Sequence, residues 1–297
     1  MNGRRGAGIV ARSMQKTRGV IVTGASSGIG LECARWLSGR GFHVFAGVRR
    51  QADGDRLSKL APENITPVLL DVTDAGSIKA AVKAVSKCPE GISPCALVNN
   101  AGITIAGPLE LLPIDSFKRQ IDVNLTGQLA VTQAFIPLMR AHHGRVLLMG
   151  SILGRFALPF LGPYSCAKFA LEALAEALCM ELSGTGVAVS IIEPGNIATP
   201  IWEKSKGTAL DIAGDMSASK WDIYREDARS ALGYIERLAE KGMPPSKVAK
   251  VIEKALTARI PKKRYTVGPD SAFLGRVLPF FPPGLRQAIL RRAVLRR

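Results

Sequence analysis

Seven short runs rich in Val, Ile and Leu alternate along this chain with longer stretches of helical periodicity, and that alternation limits its fold more than any other feature. The runs Val20–Thr23, His43–Val48, Pro67–Val72, Ala96–Asn99, Arg145–Met149, Val187–Ile192 and Arg264–Val267 have the length and β-branched content of strands. Helical patterns lie between them. In Ser165–Leu182, for example, Ala167, Ala170, Leu171, Leu174 and Leu178 fall on one face, and Gly184 lies just past the end. Strands separated by helices build a parallel sheet covered on both faces, so the expected fold is α/β, a single doubly wound domain around a seven-stranded parallel sheet. A chain of 297 residues that is 47% hydrophobic is long enough to bury one such core.

The expected domain spans residues 19–270, between a flexible basic extension at 1–18 and a basic, apolar tail at 271–297. Residues 1–18 carry five basic and no acidic side chains and residues 259–297 carry ten basic and one acidic, so the ends supply +14 of the net charge of +16 and the body only +2. A nucleic-acid-binding body is therefore not expected. The first 18 residues lack the apolar core of a secretory signal, although their Arg-rich, acid-free bias is shared by organelle transit peptides. No apolar run approaches the roughly 18–20 residues of a membrane span. The cysteines Cys33, Cys88, Cys95, Cys166 and Cys179 form no C-x-x-C pair and read as reduced thiols of a cytoplasmic protein. No His/Cys cluster has zinc spacing, so no metal site is expected.

The first strand ends in Thr23-Gly24-Ala25-Ser26-Ser27-Gly28-Ile29-Gly30 and runs straight into a helix containing Leu31, Ala34 and Leu37. Glycines there let the backbone turn sharply and approach a pyrophosphate, and the helix N-terminus offers free N–H groups and the positive end of its dipole. After the second strand comes Gly47-Val48-Arg49-Arg50, with no acid where a ribose-binding carboxylate would stand. A guanidinium there can accept a 2′-phosphate, so NADP(H) is preferred over NAD(H). Asp71-Val72 ends the third strand, placed for an adenine edge, and Asn99-Asn100-Ala101-Gly102 ends the fourth. Ser151 follows the fifth strand, Tyr164 comes thirteen residues later and Lys168 one helical turn beyond it. At that spacing the ammonium lies near the phenol and favours its ionised form, lowering a pKa of about 10 in the free side chain. Ser151 is placed to hydrogen-bond the carbonyl or hydroxyl oxygen of a substrate.

Taken together, T-G-A-S-S-G-I-G, N-N-A-G, Asn124, Ser151, Y-S-C-A-K and P-G-N-I-A-T resemble the short-chain dehydrogenase/reductase family over about residues 18–200. The resemblance implies a Rossmann-type NAD(P)-binding domain, with Tyr164 as general acid/base, Lys168 binding the nicotinamide ribose and lowering the tyrosine pKa, Ser151 orienting substrate, and Asn124 joining a proton relay. It further implies that Gly24, Ser26, Ser27, Gly28, Ile29 and Gly30 line the cofactor. Asp71 and Val72 would lie at adenine, Asn99 and Ala101 at ribose, and Pro194, Gly195, Ile197 and Thr199 at the nicotinamide end. Within the family, G-F-H-V-F-A-G-V-R-R and R-Y-T-V-G-P-D are similar to the branch containing retinol and hydroxysteroid dehydrogenases. That branch suggests a lipophilic carbonyl or alcohol substrate. NAD-dependent alcohol oxidation on the same site is the alternative, and a non-catalytic nucleotide-binding sensor is a third reading.

Between Thr199 and Pro245 the pattern turns polar and partly helical, with Trp202, Trp221 and Tyr224, and about 200–245 reads either as a substrate lid or as a packed excursion. Residues 271–297 combine Phe273, Leu274, Val277, Leu278, Phe280 and Phe281 with six arginines. Peripheral membrane contact is one reading of that tail, and packing onto the domain or onto a second subunit of a homo-oligomer is the other.

Overall fold

All seven strand runs pair into one sheet. In the computed structural model, which describes residues 17–60, 63–203, 205–207 and 221–295, the strands are β1 (Thr17–Val22), β2 (His43–Val48), β3 (Ile65–Leu69), β4 (Ile92–Asn99), β5 (Arg145–Met149), β6 (Ala188–Pro194) and β7 (Arg264–Val267). Every pairing is parallel and the order is β3-β2-β1-β4-β5-β6-β7. The order reverses between β1 and β4, which leaves a crevice beyond the carboxyl ends of those two strands.

Because such strands are buried on both faces, their apolar runs are nearly continuous, and alternate residues serve opposite layers. Val20 and Val22 of β1 pack with α1 (Gly28–Ser38) and the helix Ser246–Thr257, through Ala34, Leu37, Val248 and Ile252. Ile21 faces the other layer, where it joins Phe135 of α5 (Gly127–Arg140) and Leu171 of α6 (Gly162–Glu181). The helices between are α2 (Gln51–Ser58), α3 (Ala75–Ser86) and α4 (Ile114–Ile121), and α6 is followed by α7 (Arg225–Lys241), α8 (Ser246–Thr257), α9 (Pro269–Val277) and α10 (Pro283–Leu295).

Strand ends differ from the sequence expectation where pairing extends into polar or proline-containing residues. β1 begins at Thr17, because Thr17 and Arg18 pair with Ile92 and Ser93 of β4. The basic extension therefore does not include residues 17 and 18, and residues 1–16 lie outside the described residues. Arg18 donates to Leu256 O and lies over the Phe42 ring at 5.1 Å. β3 starts at Ile65 rather than Pro67 and ends at Leu69. Pro67 is tolerated inside it because β3 is an edge strand, where a missing N–H costs no ladder bond.

A third apolar cluster lies beside the sheet. Leu290, Val294 and Leu295 of α10 are buried with Trp202, Ala231 and Ile235, so α10 packs on α7 and on the segment after β6. Phe273, Phe280, Leu285 and Ile289 point to the exterior. Residues 204 and 208–220 of the expected lid lie outside the described residues; 201–203 and 205–207 are helical, and α7 forms most of its C-terminal part.

The start of α1 is held against the end of β1 by a glycine. A Cβ at Gly30 would stand 2.2 Å from Gly24 O, far inside contact distance. Gly30→Ala is expected to cost about 1–3 kcal/mol by overpacking. Gly39→Ala, at the other end of α1, places its Cβ no closer than 3.6 Å to a neighbour and should change stability by less than about 0.5 kcal/mol. Urea unfolding of the two variants measures both.

Candidate active site

The ends of β1 and β4 are tied together by Thr23. Its buried hydroxyl accepts N–H bonds from Asn100 and Ala101, each at 2.9 Å, and the Asn100 side-chain amide donates back to Thr23 O at 2.9 Å. From this tie the chain turns through Gly24 to Gly28, whose φ of +56° is a conformation that suits glycine, and enters α1. The N-cap Ser27 is extended and makes no side-chain bond to the first turn of α1. Those N–H groups, with the positive end of the helix dipole, face a ligand site.

A cavity of about 880 Å³ opens at this point, lined by the carboxyl ends of the strands. Gly24, Ser26, Ser27, Gly28 and Ile29 form one wall; Arg49, Asp71, Val72 and Ala101 follow from β2, β3 and β4. Asn124, Ser151, Tyr164 and Lys168 form another wall, closed by Pro194, Gly195, Ile197 and Thr199 after β6. An uncapped helix start, a glycine turn without side chains in the way and a cavity-facing guanidinium suit a dinucleotide, whose pyrophosphate the α1 N-terminus would hold.

Two expected cofactor residues do not reach this wall. Gly30 lies behind the turn as the packing contact already described. Asn99 is fully buried on the opposite face of β4, where its amide donates to Thr132 Oγ1 at 2.7 Å and lies 3.4 Å from Gln128 O. Its neighbour Asn100 lines the cavity instead. The alternation of side chains along a strand makes this swap unavoidable once Asn99 faces α5.

Ser151 caps the short 3₁₀ turn Ile152–Gly154, its Oγ accepting from Leu153 N at 3.2 Å, and it shares the cavity wall with Tyr164. Lys168 is 4% exposed, donates to Met149 O at 2.6 Å and lies 5.4 Å from the centroid of the Tyr164 ring. Burial pushes the Tyr164 phenol up to about 12, with the Ser151 hydrogen bond offsetting part of the rise. Burial also brings the Lys168 ammonium down to about 8, opposed by the negative charge of Glu172. The lowering of Tyr164 expected from Lys168 is thus outweighed in the protein alone, since the ammonium is directed to Met149 O and both groups are desolvated.

Asn124 sits in a π-helical turn, Asp122–Thr126, and is fully buried. Its Oδ1 accepts from Ile103 N at 2.8 Å and its Nδ2 donates to Ile103 O at 2.9 Å. The side chain therefore holds the Ile103 backbone, and Asn124 lines the cavity with Ser151, Tyr164 and Lys168. Arg50 is likewise committed, pairing with Asp53 at 2.9 Å, which leaves Arg49 as the cavity-facing guanidinium of that pair. Although burial works against it, hydrogen bonds from Thr73 and the Arg49 charge hold Asp71 below the ordinary carboxylate range.

Sequence reasoning missed several wall residues: Ile103, Ile105, Ile201 and Trp202. Trp202 is nearly buried, with Nε1 donating to Ile197 O at 3.1 Å. An apolar Ile-Trp pair directly after Thr199-Pro200, in an otherwise polar stretch, was the available signal. Among the described residues there is no group of three or more His, Cys, Asp or Glu placed to hold a metal ion, and no helix is long and apolar enough to cross a membrane.

The short chain dehydrogenase family model matches residues 18–209. A 3-amino-tetrahydro-pyrrolizinone reductase from Xenorhabdus hominickii is 37% identical over 259 residues, covering 86% of this chain and 88% of that protein. The 17-beta-hydroxysteroid dehydrogenase type 6 of Bos taurus is 34% identical over 279 residues, covering 92% and 88%. Actinorhodin polyketide ketoreductase, solved with NADPH, superposes with a TM-score of 0.70 at 26% identity, covering 86% of this chain and 98% of that one. The chain belongs to the short-chain dehydrogenase/reductase family of NAD(P)-dependent oxidoreductases, on the side of its retinol and hydroxysteroid dehydrogenases.

Proposed function

We propose that this protein is a carbonyl reductase that uses NADP(H) and acts on a lipophilic ketone or aldehyde of retinoid-, steroid- or ketone-like character. The observation that carries the reading is the convergence of Ser151, Tyr164 and Lys168 on one wall of a cavity whose opposite wall is the uncapped start of α1. When bound, a nicotinamide cofactor supplies the hydride. The chain's own residues do the rest. Gly24–Ile29 hold the pyrophosphate, Lys168 holds the nicotinamide ribose, and Ser151 and Tyr164 bind the substrate oxygen. A phenol pushed up to about 12 keeps its proton at neutral pH, which is the state required to donate it to that oxygen during reduction.

Arg49 supports the preference for NADP(H), because it faces the cavity while Arg50 is held by Asp53. Ile103, Ile105, Ile201 and Trp202 support an apolar substrate. One observation favours NAD(H)-linked alcohol oxidation as the second reading: the Asp71 carboxylate shares the wall with Arg49 and offsets part of its charge.

Cofactor absorbance with NADPH or NADH and a panel of retinoid, steroid and small ketone carbonyls tests the reading. Turnover is expected with NADPH, and Tyr164→Phe should reduce it by about 10²–10⁴-fold. Activity with NADH alone, or unaltered activity in Tyr164→Phe, contradicts it. Arg49→Ala should raise the KM for NADPH about tenfold or more, by loss of a charge-assisted bond, and leave that for NADH unchanged. The lowered Lys168 pKa fixes the sign of the pH dependence. Below about 8 the ammonium is present, and as pH rises through about 8 it is lost, so reduction should decline on the alkaline side.

A further inference from the structure

Behind the active site lies a buried acidic pair that the proposed chemistry does not use. Tyr164, Lys168 and Glu172 succeed one another at intervals of four on α6, so they share one helix face with Cβ atoms about 5–6 Å apart. Glu193 of β6 is 2% exposed, and the Glu172 side chain is 11% exposed. The Arg264 guanidinium of β7 contacts both carboxylates, lying 2.5 Å from Glu172 Oε2. Arg155, after the 3₁₀ turn, stands 4.0 Å from Glu193. The same turn closes over the row, for a Cβ at Gly154 would meet Lys168 O at 2.9 Å and Glu172 Cγ at 3.1 Å. Among the described residues neither Glu172 oxygen has an aligned hydrogen-bond donor.

We propose that Glu172, paired with Glu193 through Arg264, is a positioning residue that keeps the Lys168 side chain in its ammonium form by placing a negative charge behind it. A lysine this deeply buried loses hydration, and its charged form survives only with a compensating partner. On its cavity side Lys168 faces Tyr164, a neutral phenol, and among the described residues its hydrogen-bond acceptor is the neutral carbonyl of Met149. Glu172, one turn further along the same helix face and under the same Gly154 turn, is among the described residues the anion whose charge favours the ammonium. Glu172 in turn faces Lys168 on its own helix, Glu193 on β6 and Arg264 on β7, with Arg155 behind Glu193. Burial, and then the like charge of Glu193, raise its pKa above the ordinary carboxylate range, against the pull of Arg264. The pair therefore tunes how much negative charge the lysine feels.

This proposal rests on the reading of Lys168 as the residue that holds the cofactor ribose, but its test reads the lysine directly. The full-length protein carrying carbon-13 in its lysine side chains is titrated by NMR, with Lys168 assigned by its absence in Lys168→Met. In Glu172→Gln the Lys168 midpoint should fall by about one pH unit, and Glu172→Asp should recover most of that fall. Glu193→Gln removes the like charge, leaves Glu172 more fully ionised, and should raise the Lys168 midpoint; it keeps the test alive if Glu172→Gln does not fold. A Lys168 midpoint that stays within about 0.2 of a pH unit in these variants overturns the proposal. The titration needs no turnover, so a chain that reduces no carbonyl would sink the proposed function and leave this result intact, whereas unmoved midpoints in an active enzyme would sink only this proposal.

Discussion

The Thr23 hydroxyl and the two N–H groups it accepts hold the carboxyl ends of β1 and β4 together at the point where strand order reverses. The parts of the site take their places from that tie. On the β1 side it starts the glycine turn, which is drawn tight enough that only hydrogen fits at Gly30. On the β4 side it presents Asn100 and Ala101 to the cavity and sends the chain on to Ile103, which Asn124 then holds by both its polar atoms. Hydrogen bonds buried away from water are individually worth only about 0.5–1.5 kcal/mol net, but leaving their groups unpaired costs more, so the arrangement has little freedom to relax. A cofactor cradle with a fixed backbone is the consequence.

Burial shapes the electrostatics of the opposite wall. Enclosure alone would make Tyr164 a poor base and Lys168 a poor cation, and it moves both in those directions. For reduction a protonated phenol is the useful state, and the ammonium then has to be kept by its neighbours. On the far side of α6, Arg264 of β7 contacts both Glu172 and Glu193 of β6, so the sheet reaches the helix that carries Tyr164 and Lys168 without touching the cavity. The C-terminal segment contributes in another way: α10 packs on α7 and Trp202, and Trp202 lines the cavity, so the chain's last helix supports the apolar end of the site.

Much of this was legible in the sequence, and the parts that were not have physical reasons. Parallel strands buried on two faces are written as apolar runs, so the number of strands could be read from Val20, Val44, Val98 and Leu147 and their neighbours. Strand ends could not, because Thr17, Arg18 and Thr66 enter the sheet through backbone pairing that leaves no apolar mark. Ser151, Tyr164 and Lys168 were legible because their spacing is set by one strand end and one helix turn. Asn99 was misplaced because a single step along a strand exchanges cavity for core. The partners of Asn124 and Arg50 could not be read for a related reason: Ile103 and Asp53 are chosen by the folded backbone. Trp202 became a wall residue only when the segment after β6 folded back beneath α7.

The most direct test of the central claim, that the uncapped start of α1 and the Ser151–Tyr164–Lys168 wall are two ends of one cofactor site, is a crystal structure of the protein grown with NADP⁺. The account predicts the pyrophosphate against Gly24–Ile29, the 2′-phosphate beside Arg49, the nicotinamide ribose on Lys168, and the nicotinamide ring between Tyr164 and the Pro194–Ile197 segment. A dinucleotide bound elsewhere, or bound here with its nicotinamide directed away from Tyr164, would contradict it.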